Sequence, residues 1–114
     1  MAETNVDVVV IGSGQAGVPF ASRMAGAGKR VVLIERGALG GTCVNVGCTP
    51  TKTMVASARA AHVARTAARL GVHAGEVRVD LAAVVARKER IVAEWRSGVE
   101  GSLKAVKVVR AQAK

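Results

Sequence analysis

Tyrosine is absent from this 114-residue sequence, and Phe20 and Trp95 are its only aromatic residues. Binders of single-stranded nucleic acid stack bases on aromatic platforms, so that class lacks its usual apparatus here. Half of the residues are hydrophobic, but they are mostly Ala and Val, and a core so poor in large side chains depends on close backbone packing, which the 13 glycines allow. Acidic residues are also scarce, 8 against 17 Lys and Arg, for a formal net charge of +9. A basic excess raises nucleic-acid binding as a default. The Lys and Arg residues are instead scattered along helical segments and never form a block, which reads as a solvated surface or one facing an anionic cofactor or partner.

No apolar run approaches the ~18–20 residues that cross a bilayer. The Met1-Ala2-Glu3-Thr4 start lacks the positive leader of a secretory signal. The expectation is a cytoplasmic chain with no membrane or nucleic-acid partner. In a reducing compartment a disulfide between its two cysteines would be catalytic or sensing.

Val6 to Ile11 is a short β-branched run, read as a strand buried on both faces. Gly12-Ser13-Gly14-Gln15-Ala16-Gly17 follows, then a helix over 18–27 ended by Gly26 and Gly28, then a buried strand over 31–34 finished by Glu35. Residues 37–48 are glycine-rich and irregular. Pro50 suits a first helical turn, and an Ala-rich helix runs from Thr51 to about Leu70, closed by Gly71. Asp80 is read as the N-cap of a further helix. In it Leu81, Val85, Val92, Trp95 and Val99 form one apolar stripe, expected to face the core or a second subunit. Gly98 and Gly101 fray its end, and residues 106–110 form a last strand.

Gly12, Gly14 and Gly17 spell Gly-x-Gly-x-x-Gly, and the context gives the motif its weight. It follows a strand, opens a helix, and is followed 23 positions after Gly12 by Glu35 at the end of the next strand. Gly12 permits the tight turn, Gly14 lets a pyrophosphate approach the backbone, and Gly17 lets the helix pack on the strand. The helix N-terminus offers free N–H groups to phosphate. Glu35 accepts from ribose hydroxyls and would repel a 2′-phosphate. The motif does not distinguish FAD from NAD.

Cys43 and Cys48 stand five positions apart in Gly-Gly-Thr-Cys-Val-Asn-Val-Gly-Cys-Thr-Pro-Thr-Lys, residues 40–52. In a regular helix that spacing separates them by about 7.5 Å along the axis and puts them on different faces. Disulfide Cα atoms lie within about 7 Å, so a bonded pair requires a distorted segment, for which Gly47 supplies the freedom. A position just before a helix N-terminus favours the thiolate.

Glycine loop, acid and cysteine segment together closely resemble the pyridine nucleotide-disulfide oxidoreductases, the flavoprotein family that includes dihydrolipoamide dehydrogenase, mercuric reductase and glutathione reductase. The resemblance implies an α/β fold, a Rossmann-like FAD-binding βαβ with a redox-disulfide helix, as an incomplete domain. Residues 1–114 would be the N-terminal part of an FAD/NAD(P)-binding domain, with the NAD(P)H and C-terminal dimerisation domains absent. Gly12, Gly14, Gly17 and Glu35 would hold the ADP half of FAD, and Gly41 and Thr42 would line its pyrophosphate and ribityl chain. Cys48 would be the thiol beside the flavin, Cys43 the outer thiol that exchanges with substrate, and Lys52 a neighbour of the flavin ring. Electrons would pass from NAD(P)H through FAD to the Cys43–Cys48 disulfide and on to a disulfide, lipoamide or metal-ion substrate, in a homodimeric full-length enzyme. The segment is nearest the lipoamide dehydrogenase and mercuric reductase branch. Thr49 and Thr51 stand where relatives more often carry an aliphatic residue and Ser, which are subfamily marks. The 114 residues alone are expected to be inactive. The alternative is a non-catalytic nucleotide-binding protein or remnant.

A zinc site is the competing use of two Cys and two His. Thirteen residues separate Cys48 from His62 and ten more separate His62 from His73, whereas zinc-finger histidines stand about 3–5 apart, so no metal site is expected. Both histidines read as surface residues.

Overall fold

The computed structural model describes Glu3 and residues 5–114; Met1, Ala2 and Thr4, part of the leader reading above, lie outside them. Strand β1 (Val8–Ile11) and strand β2 (Val31–Glu35) pair in parallel, Val8 against Val31 through Ile11 against Ile34. Helix α1 (Gly17–Gly26) connects them. Strand β3 (Lys107–Arg110) joins the outer side of β2, also in parallel, for a sheet order β1-β2-β3. The expected βαβ unit is therefore present and extended by the last strand. At its start the Asp7 carboxylate grips Arg30 through the backbone N–H and the guanidinium, at 2.7, 3.2 and 3.0 Å.

Only one face of this sheet is covered, which corrects the expectation of strands buried on both. Val10, Val31 and Leu33 pack with Ala21 of α1 and with Leu39, Leu103 and Val106 in an aliphatic core without aromatic residues. The opposite face leaves Val9 55% and Ile11 72% exposed, because α1 lies on the Val10 side and no described element packs on the other.

The irregular stretch over 37–48 contains one short helix, α2 (Gly41–Asn45). Helix α3 (Cys48–Thr66) starts at the second cysteine, earlier than expected, so Pro50 falls inside its first turn, where no helical donor is lost. A 3-10 turn over 67–70 and Gly71 at φ +75 close it. Helix α4 (Leu81–Ser102) is capped by the Asp80 carboxylate, which accepts from the Ala83 N–H at 3.0 Å. It runs straight through Gly98 to Ser102, so neither glycine frays it.

The α4 stripe does not form one buried face. Val92 is buried, but Leu81 and Trp95 are 62% and 58% exposed. The reason is the shape: α3 and α4 form an arm that leaves the sheet, giving extents of 69 × 25 × 19 Å and a radius of gyration of 20.3 Å. A compact chain of ~100 residues has about 13 Å. No helix of the described residues is long and apolar enough to cross a membrane.

Candidate active site

The glycine loop is built as its spacing requires. Gly12 has φ +91, a backbone region that side chains strain. A Cβ on Gly17 would lie 2.0 Å from the Gly12 carbonyl oxygen and 3.4 Å from Val10 Cγ1, so α1 can meet β1 this closely only without one. Gly14 is different. Its φ is not positive, and a Cβ there would meet nothing within 4 Å. Nothing inside the chain demands glycine at that position, and the open space beside its backbone suits a ligand that needs close approach.

Glu35 ties the loop from the end of β2. Its Oε2 accepts from the Ser13 N–H at 2.9 Å and the Ser13 hydroxyl at 2.5 Å, and its Oε1 accepts from the Gly37 N–H at 2.8 Å. Oε1 keeps a further acceptor position open. The Ser13 hydroxyl and the Gly37 N–H hold this carboxyl down at about 2, against 4.5 for the free group. A carboxyl lowered by folding stabilises the folded chain above pH 4.5 and loses that contribution as pH falls towards 2. The thermal midpoint, followed by circular dichroism, is therefore expected to drop through that window. Glu35→Gln is expected to flatten the drop, and an unaltered acid limb in that variant would remove Glu35 from the explanation.

Ser13, missed in the sequence reading, is fully buried and joins the two motifs. Its carbonyl and hydroxyl oxygens both accept from the Gly40 N–H, at 3.1 and 3.3 Å. Next to it Gly41, at φ +65, rests on the loop so closely that its Cβ would stand 2.8 Å from Gly14 Cα. A small hydroxyl residue between two loop glycines was the available signal.

The cysteines occupy different elements: Cys43 lies within α2, and Cys48 is the first residue of α3. The chain breaks between them at Gly47, where a Cβ would press on the Thr42 carbonyl oxygen at 3.0 Å and Cys43 Cα at 3.3 Å. Both thiols are free, Cys43 half-buried and Cys48 exposed. The Cys48 thiol hydrogen-bonded beside it, with some burial, pushes the Cys43 thiol up, while the Lys52 ammonium pulls the other way. The backbone N–H of Cys48, the first residue of α3, also favours the Cys43 thiolate, and Gly47, which caps α3, lies against Cys43 Cα.

Two clefts flank the loop. One of about 210 Å³ opens at the carboxyl ends of the strands and is lined by Ile11, Gly12, Ile34, Glu35, Arg36 and 111–113, where open α/β sheets bind ligands. The other, about 320 Å³, is lined by Gln15, Cys43, Val44, Cys48, Thr49, Lys52, Thr53, Ile91 and Trp95. The segment Gly12–Gln15 thus runs from one cleft to the other past Gly14. Thr42 is exposed at the α2 side of this region, and Lys52 stands one turn after Cys48 on α3. His62 and His73 are exposed and take no part.

Residues 6–114 match the family model described as pyridine nucleotide-disulphide oxidoreductase. The chain belongs to this family. Among the oxidoreductases it resembles, a mercuric reductase of Streptomyces lividans is 41% identical over 97 residues, covering 84% of this chain and 20% of that protein. A mitochondrial dihydrolipoyl dehydrogenase 2 of Arabidopsis thaliana is 45% identical over 104 residues, covering 90% of this chain and 20% of its own length. The Cu(II) complex of the flavoprotein disulfide reductase RclA from Escherichia coli superposes with a TM-score of 0.75 at 34% identity, over 95% of this chain and 22% of that one. The chain spans about a fifth of the length of these oxidoreductases, which agrees with a partial domain.

Proposed function

We propose that this chain is the FAD-binding and dithiol-bearing front of an NAD(P)H-dependent flavoprotein disulfide oxidoreductase. The observation that carries this reading is that the glycine loop links the two clefts, Gly12 lining the one at Glu35 and Gln15 the one at the cysteines. A dinucleotide lying along Gly12–Gln15 would have its adenosine end near Glu35 and its far end at Cys48 and Lys52. Gly14 leaves the room for phosphate, the first N–H groups of α1 can donate to it, and Glu35 Oε1 can accept from a ribose hydroxyl. Gly41 and Thr42 would line the middle of such a ligand. Bound FAD would supply two-electron exchange with the dithiol.

The residues of the chain supply the thiol chemistry. Cys43 as thiolate attacks a substrate disulfide, giving a mixed disulfide and one released thiol. Cys48 then attacks Cys43 Sγ, closing the internal disulfide and releasing the second thiol. Two electrons and two protons pass from the pair to the substrate. The mercuric reductase and dihydrolipoyl dehydrogenase relatives frame the substrate class as a metal ion or a small disulfide.

Equilibrium dialysis of the purified chain against FAD is expected to show weak binding, since the ligand would touch only the part of the site that lies in these residues. Steady NAD(P)H-dependent disulfide reduction by the 114 residues alone is not expected. Binding of FAD that ignores changes at Gly14, or robust turnover by the isolated chain, would count against the proposal.

A further inference from the structure

We propose that α4 sets the thiol–disulfide balance of Cys43 and Cys48, with Arg96 and Arg87 as its positioning residues. This rests on the dithiol reading above and adds the groups that tune it.

The two sulfurs sit on separate helices joined by the break at Gly47, so their separation depends on how α2 lies against α3. Helix α4 grips both. From α4, Arg96 places Nε at 2.9 Å and Nη2 at 2.6 Å from Asn45 Oδ1. A guanidinium only donates, which fixes the orientation of the Asn45 amide. Asn45 Nδ2 then donates to the carbonyls of Leu39 and Gly41, both at 2.9 Å. Asn45 stands between the two cysteines in sequence and ties the last residue of α2 back to its start. Further up α4, Arg87 Nη1 donates to the Thr53 carbonyl at 3.0 Å and the Ser57 hydroxyl at 3.4 Å on α3.

Both guanidiniums are half-buried, and among the described residues neither forms an ion pair with a carboxylate. They are spent on neutral oxygens of the two elements that carry the thiols. Releasing Arg96 frees α2 to drift, lowers the effective concentration of one thiol at the other, and shifts the balance towards the dithiol.

The test equilibrates the reduced chain with glutathione buffers. Chain dithiol plus oxidised glutathione gives chain disulfide plus two reduced glutathiones, and free thiols are counted by alkylation and mass spectrometry. Arg96→Met is expected to lower the equilibrium constant for the chain disulfide about tenfold, a potential about 30 mV less negative. Arg96→Lys is expected to recover part of this, because an ammonium reaches Asn45 without the two-pronged contact. Arg90→Met removes the same charge from the exposed pair with Glu94 and is expected to change nothing. If Arg96→Met fails to fold, Arg96→Gln, which keeps one donor, is expected to move the balance the same way by less. A balance within twofold of the unmodified chain in the folded variant, or an equal shift in Arg90→Met, would overturn the proposal. Absence of any internal disulfide in the unmodified chain would instead bring down the dithiol reading itself.

Discussion

Gly14→Ala is expected to leave the thermal midpoint of the chain unchanged and to abolish its dinucleotide binding. Gly17→Ala, three residues on, is expected to lower the midpoint and to act on binding only through the fold. The contrast follows from what each new methyl group would meet. At position 14 it meets open space and needs no unusual backbone angle, so the folded chain accepts it. The space it fills is the one a pyrophosphate needs for close approach to the loop. At position 17 it lands 2.0 Å from the Gly12 carbonyl oxygen, a backbone atom that cannot rotate aside. Helix α1 would have to lift from β1, at a cost of about 3 kcal/mol. That is a large part of the ~5–15 kcal/mol that holds a typical domain together. Thermal unfolding and dialysis against FAD read the two effects separately. Loss of stability in Gly14→Ala, or undiminished FAD uptake by it, would break the link between this glycine and a ligand.

Gly47→Val is expected to uncouple the two cysteines without touching either sulfur. The break between α2 and α3 brings Gly47 against the backbone of Thr42 and Cys43, with 3.0 and 3.3 Å to the position of an added Cβ. Valine adds two further methyl groups to that contact, so α2 and α3 must part there. The intrachain disulfide is then expected to lose about a hundredfold in equilibrium constant, close to 60 mV. The comparison with Cys48→Ser, which cannot form the bond, gives the floor of the measurement. An unchanged equilibrium in Gly47→Val would mean that the turn does not govern the pairing.

The residues that announced themselves in the sequence were those whose type is dictated by backbone geometry. Gly12 and Gly17 are glycine because of a positive φ and a steric contact, and the alternation of β-branched runs with a glycine loop placed β1, α1 and β2 correctly. Asp80 was legible because an N-cap needs a side-chain acceptor. Other features were hidden for equally physical reasons. Ser13, Asn45, Arg87 and Arg96 act through contacts 22 to 51 positions away in sequence, and no local pattern reports a hydrogen bond of that range. The short helix α2 was invisible because five residues opened by Gly40 and Gly41 carry no periodicity. The apolar stripe of α4 suggested burial, and Val9 and Ile11 suggested a doubly covered strand. Hydrophobicity states what a face could pack against, and the fold decides what packs there.

The most direct measurement is a redox titration of the unmodified chain. The reduced protein is equilibrated across graded ratios of reduced to oxidised glutathione, quenched by alkylation and weighed. The expected result is one two-electron transition in which both thiols disappear together, the mass falls by two hydrogens, and the Cys43–Cys48 peptide pair is recovered crosslinked. Thiols that titrate independently, stop at mixed disulfides with glutathione, or link one chain to another would contradict the assignment of this pair as a working disulfide.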